Sequence, residues 1–525
     1  MARYPIGKQN FKSLREGGYI YVDKTQYIPQ LLEGSTYYFL ARPRRFGKSL
    51  FLSTLEYFFL GQRSLFKDLA VESYPWSWEL HPVIHIDLNG EDYTKDIFSL
   101  QNALSRQLSE IAMRYGVNPA EGSVSIQFRS LIQELFDKYG KQVVVLIDEY
   151  EKPVLDNIDN QEMAEYHKAT LRGFYGVLKS LDEYLKLVFI TGVTKFGKMS
   201  VFSELNNLRD ISLRIPYSAI CGVTEQELRN VFKEGIERLA EAEETDFEGA
   251  VQLLKQNYDG YHFSEKCPDL YNPYSLINAL EDSRIGMYWA STGTPNILAT
   301  LLVRKKYNLE ELDGINVSDM RLMDIRGEFD DPVSLFYQTG YLTIKASSNH
   351  GKIYTLGFPN KEVEGAFSKY LVSFYLKSRF IDTSSISDDF ISGILSGDIY
   401  LALKAFTSFS SSINYELIPE PEVERHFQNM VYMFSRILLP YTTYVKTEDR
   451  TSDGRIDMTI MTVDFIYIFE IKRDSTAEDA MCQIEKKGYS LQYTTDPRKV
   501  FLIGMNFSTK KRRLDGYIVK ELDAK

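Results

Sequence analysis

Residues 41–50 read ARPRRFGKSL, and the fold turns on how they are read. Gly47-Lys48-Ser49 closes a G-x-x-x-x-G-K-[ST] phosphate loop, but Arg42 stands where the first glycine belongs. The end of such a loop works without that glycine. Successive backbone N–H groups and the start of a helix dipole attract anionic oxygens. Gly47 permits close backbone approach, Lys48 brings a point charge to outer phosphates, and Ser49 can ligate Mg²⁺. Pro43 can set the bend that the glycine would have made, because its φ is fixed. Arg44 and Arg45 add positive charge, and Phe46 completes the loop. Phe196-Gly197-Lys198-Met199 repeats the FGK triplet without Ser or Thr, so FGK alone carries little.

The surroundings supply what the triplet lacks. YYFLA (37–41) reads as a buried strand, and KSLFLSTLEYFFL after it has helical spacing, so the loop lies between strand and helix. PVIHIDL (82–88) is a second strand, followed by amphipathic stretches near 96–115 and 125–139. QVVVLIDEYEKP is an unbroken apolar run ending in Asp148-Glu149, and KLVFITGV (186–193) is another. Runs without alternation indicate strands buried on both faces, hence a parallel sheet in an α/β domain. In such a cleft Asp148 orients a Mg²⁺ shell and Glu149 polarises an attacking water. Thr191 or Thr194, at the end of the fourth strand, can sense a terminal phosphate.

The chain has 525 residues, 44% hydrophobic and 25% charged, which suits two to four soluble domains. Its net charge of −11 excludes a globally basic nucleic-acid binder, so any such contact is local. Thirty-six Tyr and 32 Phe read as core and interface material. Cys221, Cys267 and Cys482 are too dispersed for a disulfide framework or a zinc site. The six histidines are scattered and read as structural. With no apolar leader and no run near ~20 apolar residues, a cytoplasmic protein without a membrane span is expected.

Beyond residue 215 the texture changes. Residues 224–256 and 296–313 read as helical, 258–280 as turns rich in aromatics, and 334–360 as a hairpin turning at Ser347–Gly351. Serine-rich stretches at 382–389 and 406–412 read as a loose connection. The expected domains are 1–215 (P-loop), 216–380 (helical lid and winged-helix-like region), 381–415 (linker or helical connection) and 416–525.

The last domain holds a second constellation, DGRIDMTIMTVDFIYIFEIKRD. Glu470 and Lys472 lie two apart in one strand and share a face, with Asp457 in the strand before. Two carboxylates can hold Mg²⁺, which acidifies a bound water, while a lysine steadies developing negative charge. The next helix brings Gln483, and Glu424 on an earlier helix can complete the metal site. An E-x-K triplet is cheap, since Glu485-Lys486-Lys487 is another; the order of strands and helix is what lifts this one. Residues 421–525 are nearly neutral, and Lys510–Arg513 (KKRR) reads either as a phosphate-contacting patch or as a solvated turn.

YVDKT (21–25), RPRRFGKS, LIDEYEKP, ITGVTKF with SELNNLRDIS, and YNPYSLINAL together resemble the AAA-ATPase-like family with a C-terminal PD-(D/E)XK nuclease-superfamily domain. The resemblance spans nearly the whole chain and makes Arg42 a family feature. It implies a P-loop α/β sheet with helices on both faces, a helical and winged-helix-like middle, and an α/β nuclease-like end. It implies ATP and Mg²⁺ at Arg44, Arg45, Phe46, Gly47, Lys48, Ser49, Asp148 and Thr194, with Glu149 catalytic. Asp457, Glu470 and Lys472 match the nuclease motif, with Mg²⁺ on Asp457, Glu470 and Glu424 and a nucleic acid, DNA first, as substrate. Asp23 and Lys24 enter only as neighbours of the nucleotide site. A nucleotide-dependent switch with weak or no hydrolysis and a vestigial nuclease domain remains an alternative, and a homo-oligomer stays open.

Overall fold

The structure, a computed structural model, describes residues 3–522 apart from 196–200, 265, 290–294, 305–306, 324–331, 349–351, 377–382, 413–422 and 452–453. The chain divides into two compact units, residues 1–285 with 314–359 and residues 286–313 with 360–525.

The first unit is built on a five-stranded sheet in the order β2-β3-β4-β1-β5. Its strands are β1 (Tyr37–Ala41), β2 (Val83–Asp87), β3 (Val143–Asp148), β4 (Leu185–Gly192) and β5 (Arg209–Asp210), all parallel. The expected parallel sheet is therefore present, because these runs are buried on both faces. Helix α1 (Lys48–Phe59) packs on one face, where Phe51 meets Phe189 at 5.8 Å. Helices α2 (Ser99–Tyr115), α3 (Val124–Tyr139) and α4 (Gln161–Gly176) bury Leu104, Phe128 and Phe174 against Phe39, Ile86, Val145 and Ile190 on the other. Parallel strands put all their C-terminal ends, including the loop after β1 and Asp148 at the end of β3, along one edge.

The same unit carries a three-stranded antiparallel sheet, β6 (Ile315–Ser318), β7 (Thr343–Ser348) and β8 (Ile353–Gly357), in the order β6-β8-β7. The expected hairpin is β7–β8, with its turn outside the described residues. Residues 334–339, expected as its first strand, belong instead to a helix, α5 (Pro332–Thr339). Pro332 at its first position suits a helix start, and all eight residues are buried, so alternation could not mark them. The second FGK triplet, 196–198, also lies outside the described residues.

In the second unit the serine-rich stretches are not loose. They form α6 (Thr383–Ser396) and α7 (Ile399–Ser412), which pair and enclose Phe434 between Phe390, Phe406 and Phe409 at 4.8–5.0 Å. Their serines mislead because Thr407, Ser410 and Ser412 return hydroxyl protons to carbonyls of their own helix. Phe434 sits on α8 (Val423–Arg436). The sheet of this unit runs β13-β12-β11-β10-β9, with β9 (Tyr444–Thr451), β10 (Gly454–Met461), β11 (Phe465–Arg473), β12 (Lys499–Ser508) and β13 (Arg513–Leu522). Only β11 and β12 are parallel, joined over α9 (Ala477–Lys487), whose Met481 and Ile484 bury against Ile456, Ile466, Ile468 and Leu502.

Candidate functional site

The loop after β1 is built around Arg42. Its side chain is 1% exposed, and its guanidinium donates to the carbonyls of Ala41, Ser212, Tyr217 and Ser218 at 2.7–3.2 Å. It also lies over the Phe263 ring, 4.2 Å from its centroid. Burial draws the Arg42 guanidinium below its ordinary pKa. The residue that replaces the usual glycine thus ties the loop to the segment after β5. Phe46 is buried in the same aromatic bed, 4.7 Å from Tyr261 and 5.3 Å from Phe263, and its carbonyl accepts from Gly222 N–H at 3.0 Å. Phe46 is therefore an anchor of the loop, and it also lines the pocket beside Gly47. Arg45 lies flat on Tyr274 at 3.6 Å, and Arg44 is half-exposed.

Gly47 takes φ 96°, a left-handed conformation that a side chain rarely tolerates, and α1 begins at the next residue. Lys48 donates to the carbonyls of Arg42 (3.1 Å) and Pro43 (3.3 Å) and pairs with Glu149 at 3.4 Å. The Ser49 hydroxyl donates to Asp148 Oδ2 at 2.5 Å, and that of Thr191 to Asp148 Oδ1 at 2.5 Å. The sequence-predicted Lys48, Ser49, Asp148 and Glu149 are thus brought together. Of the two threonines named from sequence, Thr191 touches Asp148. Thr194 is fully buried, its N–H donating to Glu151 and its carbonyl accepting from Tyr150. Glu149 itself sits at φ 53°, a strained turn for a residue with a side chain.

Glu151 was not foreseen. Its Oε1 accepts from Val193 N–H (2.5 Å) and Thr194 N–H (2.8 Å), so one carboxyl links the ends of β3 and β4. Burial, then the charge of Glu149, pushes its pKa up to about 8. Beside Gly47 opens a largely apolar pocket lined by Tyr21, Val22, Ile220, Val223, Phe232 and Ile277. Tyr21, Val22 and Ile277 fall in the stretches YVDKT and YNPYSLINAL, but nothing in those stretches announces a pocket, because an apolar pocket needs shape rather than particular side chains. Lys24 lies at its wall and is held by Glu227 at 2.7 and 2.8 Å, while Asp23 accepts from Thr25 and Ala70.

The second unit gathers another set. Asp457 and Glu470 occupy neighbouring strands one step beyond the pair Met458–Phe469, and Asp457 Oδ2 accepts from Ile471 N–H at 2.7 Å. Lys472 donates to Glu470 Oε1 at 3.1 Å and to Gln483 Oε1 at 2.5 Å. Glu470 is 2% exposed, and its Oε2 has no hydrogen-bond partner. Burial and then Asp457 push the Glu470 carboxyl to about 7, while Lys472 and Gln483 pull the other way; burial also raises Asp457. A buried acceptor left unpaired beside a second carboxylate is what a cation would satisfy, so this donor set fits Mg²⁺. In the first unit the hydroxyl of Ser49 and the carboxylate of Asp148 are likewise hard oxygen donors. The Glu424 side chain lies outside the described residues. No helix among the described residues is long and apolar enough to cross a membrane.

The model of a predicted AAA-ATPase matches residues 5–202, and that of the PD-(D/E)XK nuclease superfamily matches residues 422–516. The chain is 34% identical over 529 residues to an uncharacterized protein in the vnfD 5′ region of Azotobacter chroococcum, covering 99% of each chain.

Proposed function

The chain belongs to the AAA-ATPase-like family with a C-terminal PD-(D/E)XK nuclease-superfamily domain, and from that premise we propose an ATP-binding and ATP-hydrolysing unit coupled to a Mg²⁺-dependent nuclease that acts on DNA. The observation that carries the first half is the convergence of Ser49 and Lys48 on Asp148 and Glu149. Ser49 and Asp148 hold the Mg²⁺ of the nucleotide, Lys48 faces the outer phosphates, and Glu149 orients the attacking water. The apolar pocket beside Gly47 receives the base, which is flat and largely apolar. Thr191 keeps Asp148 in place, and Glu151 keeps the β4 loop in place.

The second half rests on the unpaired Glu470 oxygen. Asp457 and Glu470 hold Mg²⁺, and Lys472, kept in position by Gln483, faces the scissile phosphate. Mg²⁺ bound there supplies Lewis-acid charge and a more acidic water. Arg473 and the exposed Lys510, Lys511 and Arg513 supply local positive charge for a phosphate backbone. A vestigial nuclease domain would have little reason to keep a buried acid unpaired, since such a group destabilises the fold.

Purified protein, radiolabelled ATP and plasmid DNA with Mg²⁺ test the reading. Phosphate release lost in Glu149→Gln and DNA cutting lost in Glu470→Ala are expected. Activity unchanged in either variant would remove the corresponding half.

A further inference from the structure

Beside Asp457 and Lys472 the second unit holds a cavity of about 210 Å³, and what it accepts bears on substrate class. This inference rests on the nuclease reading above. One wall is apolar: Phe427 of α8 and Phe507 of β12 stack at 3.9 Å and 26°, next to Val431. The other wall carries carboxylates. Glu310 is fixed by the Thr447 hydroxyl at 3.2 Å, and Glu448 by Arg455 at 3.2 Å. Glu448 also has φ 51° within a strand, at the place where it faces Asp457 across the ladder, and this bend sets its side chain at the cavity.

Carboxylates repel phosphate but accept hydrogen bonds from the exocyclic amino groups of bases. Aromatic walls suit the faces of bases irrespective of sequence. Positive charge shares this wall: Arg455 is held by Glu448 at 3.2 Å, Lys472 by Glu470 at 3.1 Å, and Arg473 lines the same cavity. Arg473 pairs in register with Phe507, and the turn that begins at Thr509, held by Asp474, carries Lys510 and Lys511. The cavity thus offers rings for a base, carboxylates for its amino groups and cations for the phosphate next to it, with further lysines on the turn beyond. Its enclosed space has room for a single flat ring system and is far too small for a paired helix.

We infer that this cavity takes the base of an unpaired nucleotide, so that single-stranded or frayed nucleic acid is the substrate class of the Asp457–Glu470–Lys472 site. Entry of a base from a duplex would first require it to leave the stack, which costs free energy and slows the reaction.

The test uses the full-length chain and labelled DNA oligonucleotides: a single strand, the blunt duplex, and single strands with one abasic position moved stepwise past the cut. Mg²⁺ supports cutting, and Ca²⁺ in its place allows binding to be read. Single strand should be cut at least about tenfold faster than duplex, and one abasic register should lower cutting about tenfold. Gln428→Trp, an exposed helix position on the cavity wall, should fill the space and weaken single-strand binding by a similar factor. Glu310→Gln should change the preference among bases with the fold intact. Equal cutting of duplex and single strand with a flat abasic profile would overturn the inference, while loss of cutting in Glu470→Ala would leave the nuclease reading standing. If the unaltered chain cuts nothing, the nuclease reading fails. The binding arm still decides the cavity: single-strand binding weakened by Gln428→Trp supports it, and binding indifferent to that change sinks it.

Discussion

The Ser49 hydroxyl donates to the Asp148 carboxylate at 2.5 Å, although 99 residues of chain separate them. The other oxygen of Asp148 takes the Thr191 hydroxyl. Both lone-pair faces of one acid are therefore held by small hydroxyls from α1 and β4, which leaves Asp148 oriented before any ligand arrives. Ser49→Ala should keep the fold, because one exposed-side hydrogen bond is worth only about 1 kcal/mol. It should lose most of the stabilisation by ATP with Mg²⁺, about 2.7 kcal/mol at a hundredfold excess over Kd in the unaltered chain. Thermal melts with ATP and either Mg²⁺ or EDTA read the difference. Equal shifts in both proteins would count against Ser49 as a Mg²⁺ donor.

Arg42→Gly would restore the usual glycine of the loop and should nevertheless destabilise the protein. The guanidinium satisfies four buried carbonyls and rests on Phe263. Removing it strands those acceptors, at a cost of about 3–5 kcal/mol. Urea unfolding measures this. A glycine variant as stable as the parent would mean that the loop holds its shape without the arginine.

Those two sites mark how far the sequence could be read. Gly47-Lys48-Ser49 and Asp148-Glu149 were visible because phosphate and Mg²⁺ demand fixed residue types after strands. Glu470 and Lys472 were visible because a strand repeats every two residues. Arg42 was visible only as an oddity, since its four acceptors are backbone carbonyls that leave no trace in side-chain identity. Thr191 and Thr194 could not be told apart, because they lie at one strand end, Thr191 inside β4 and Thr194 just past it, and only the backbone path there decides which hydroxyl meets Asp148. Glu151 was hidden for a similar reason: its partners are the N–H groups of Val193 and Thr194. The helices α6 and α7 were masked by their serines, and in α7 the hydroxyls of Thr407, Ser410 and Ser412 bond within the helix.

Glu151 should impose a pH slope on stability. Its carboxyl loses a proton near 4.5 when unfolded and only near about 8 when folded. Between those values the folded chain binds more protons, so stability contributed by the neutral acid falls as pH rises from about 4.5 to about 8. Glu151→Gln keeps an acceptor for the two N–H groups and removes the proton. Its stability relative to the parent should rise across that window, read as the urea midpoint at several pH values. A constant difference would show that Glu151 does not titrate in the folded state.

Glu470 predicts a pH dependence of a different quantity. Its carboxyl is pushed to about 7 by burial and Asp457, and a cation must displace that proton. Affinity for Ca²⁺ at this site should therefore weaken about tenfold for each pH unit below about 7 and level off above it. Lys472 pulls the Glu470 pKa down, so Lys472→Ala should move the onset to higher pH. Titration calorimetry with Glu470→Gln as the blank gives both curves. Affinity independent of pH between about 5.5 and 8 would remove Glu470 from the ligand set.

Lys24 and Glu227 should show an asymmetry that follows from their surroundings. The Lys24 side chain is 9% exposed and Glu227 21% exposed, and burial draws the lysine below its ordinary pKa. Glu227 has a second duty: its Oε2 accepts from Thr224 N–H at 2.8 Å while Thr224 caps the helix Glu225–Val231. Lys24→Met leaves that acid with a hydrogen-bond donor and some water, so the loss should be about 1–2 kcal/mol. Glu227→Met leaves an ammonium buried alone and the Thr224 N–H without its acceptor, at about 3–5 kcal/mol. The double variant should recover part of that loss, because it also removes the stranded charge. Denaturant unfolding of the three variants gives the coupling directly. Equal losses in the two single variants would mean that the pair is solvated more fully than its exposure indicates.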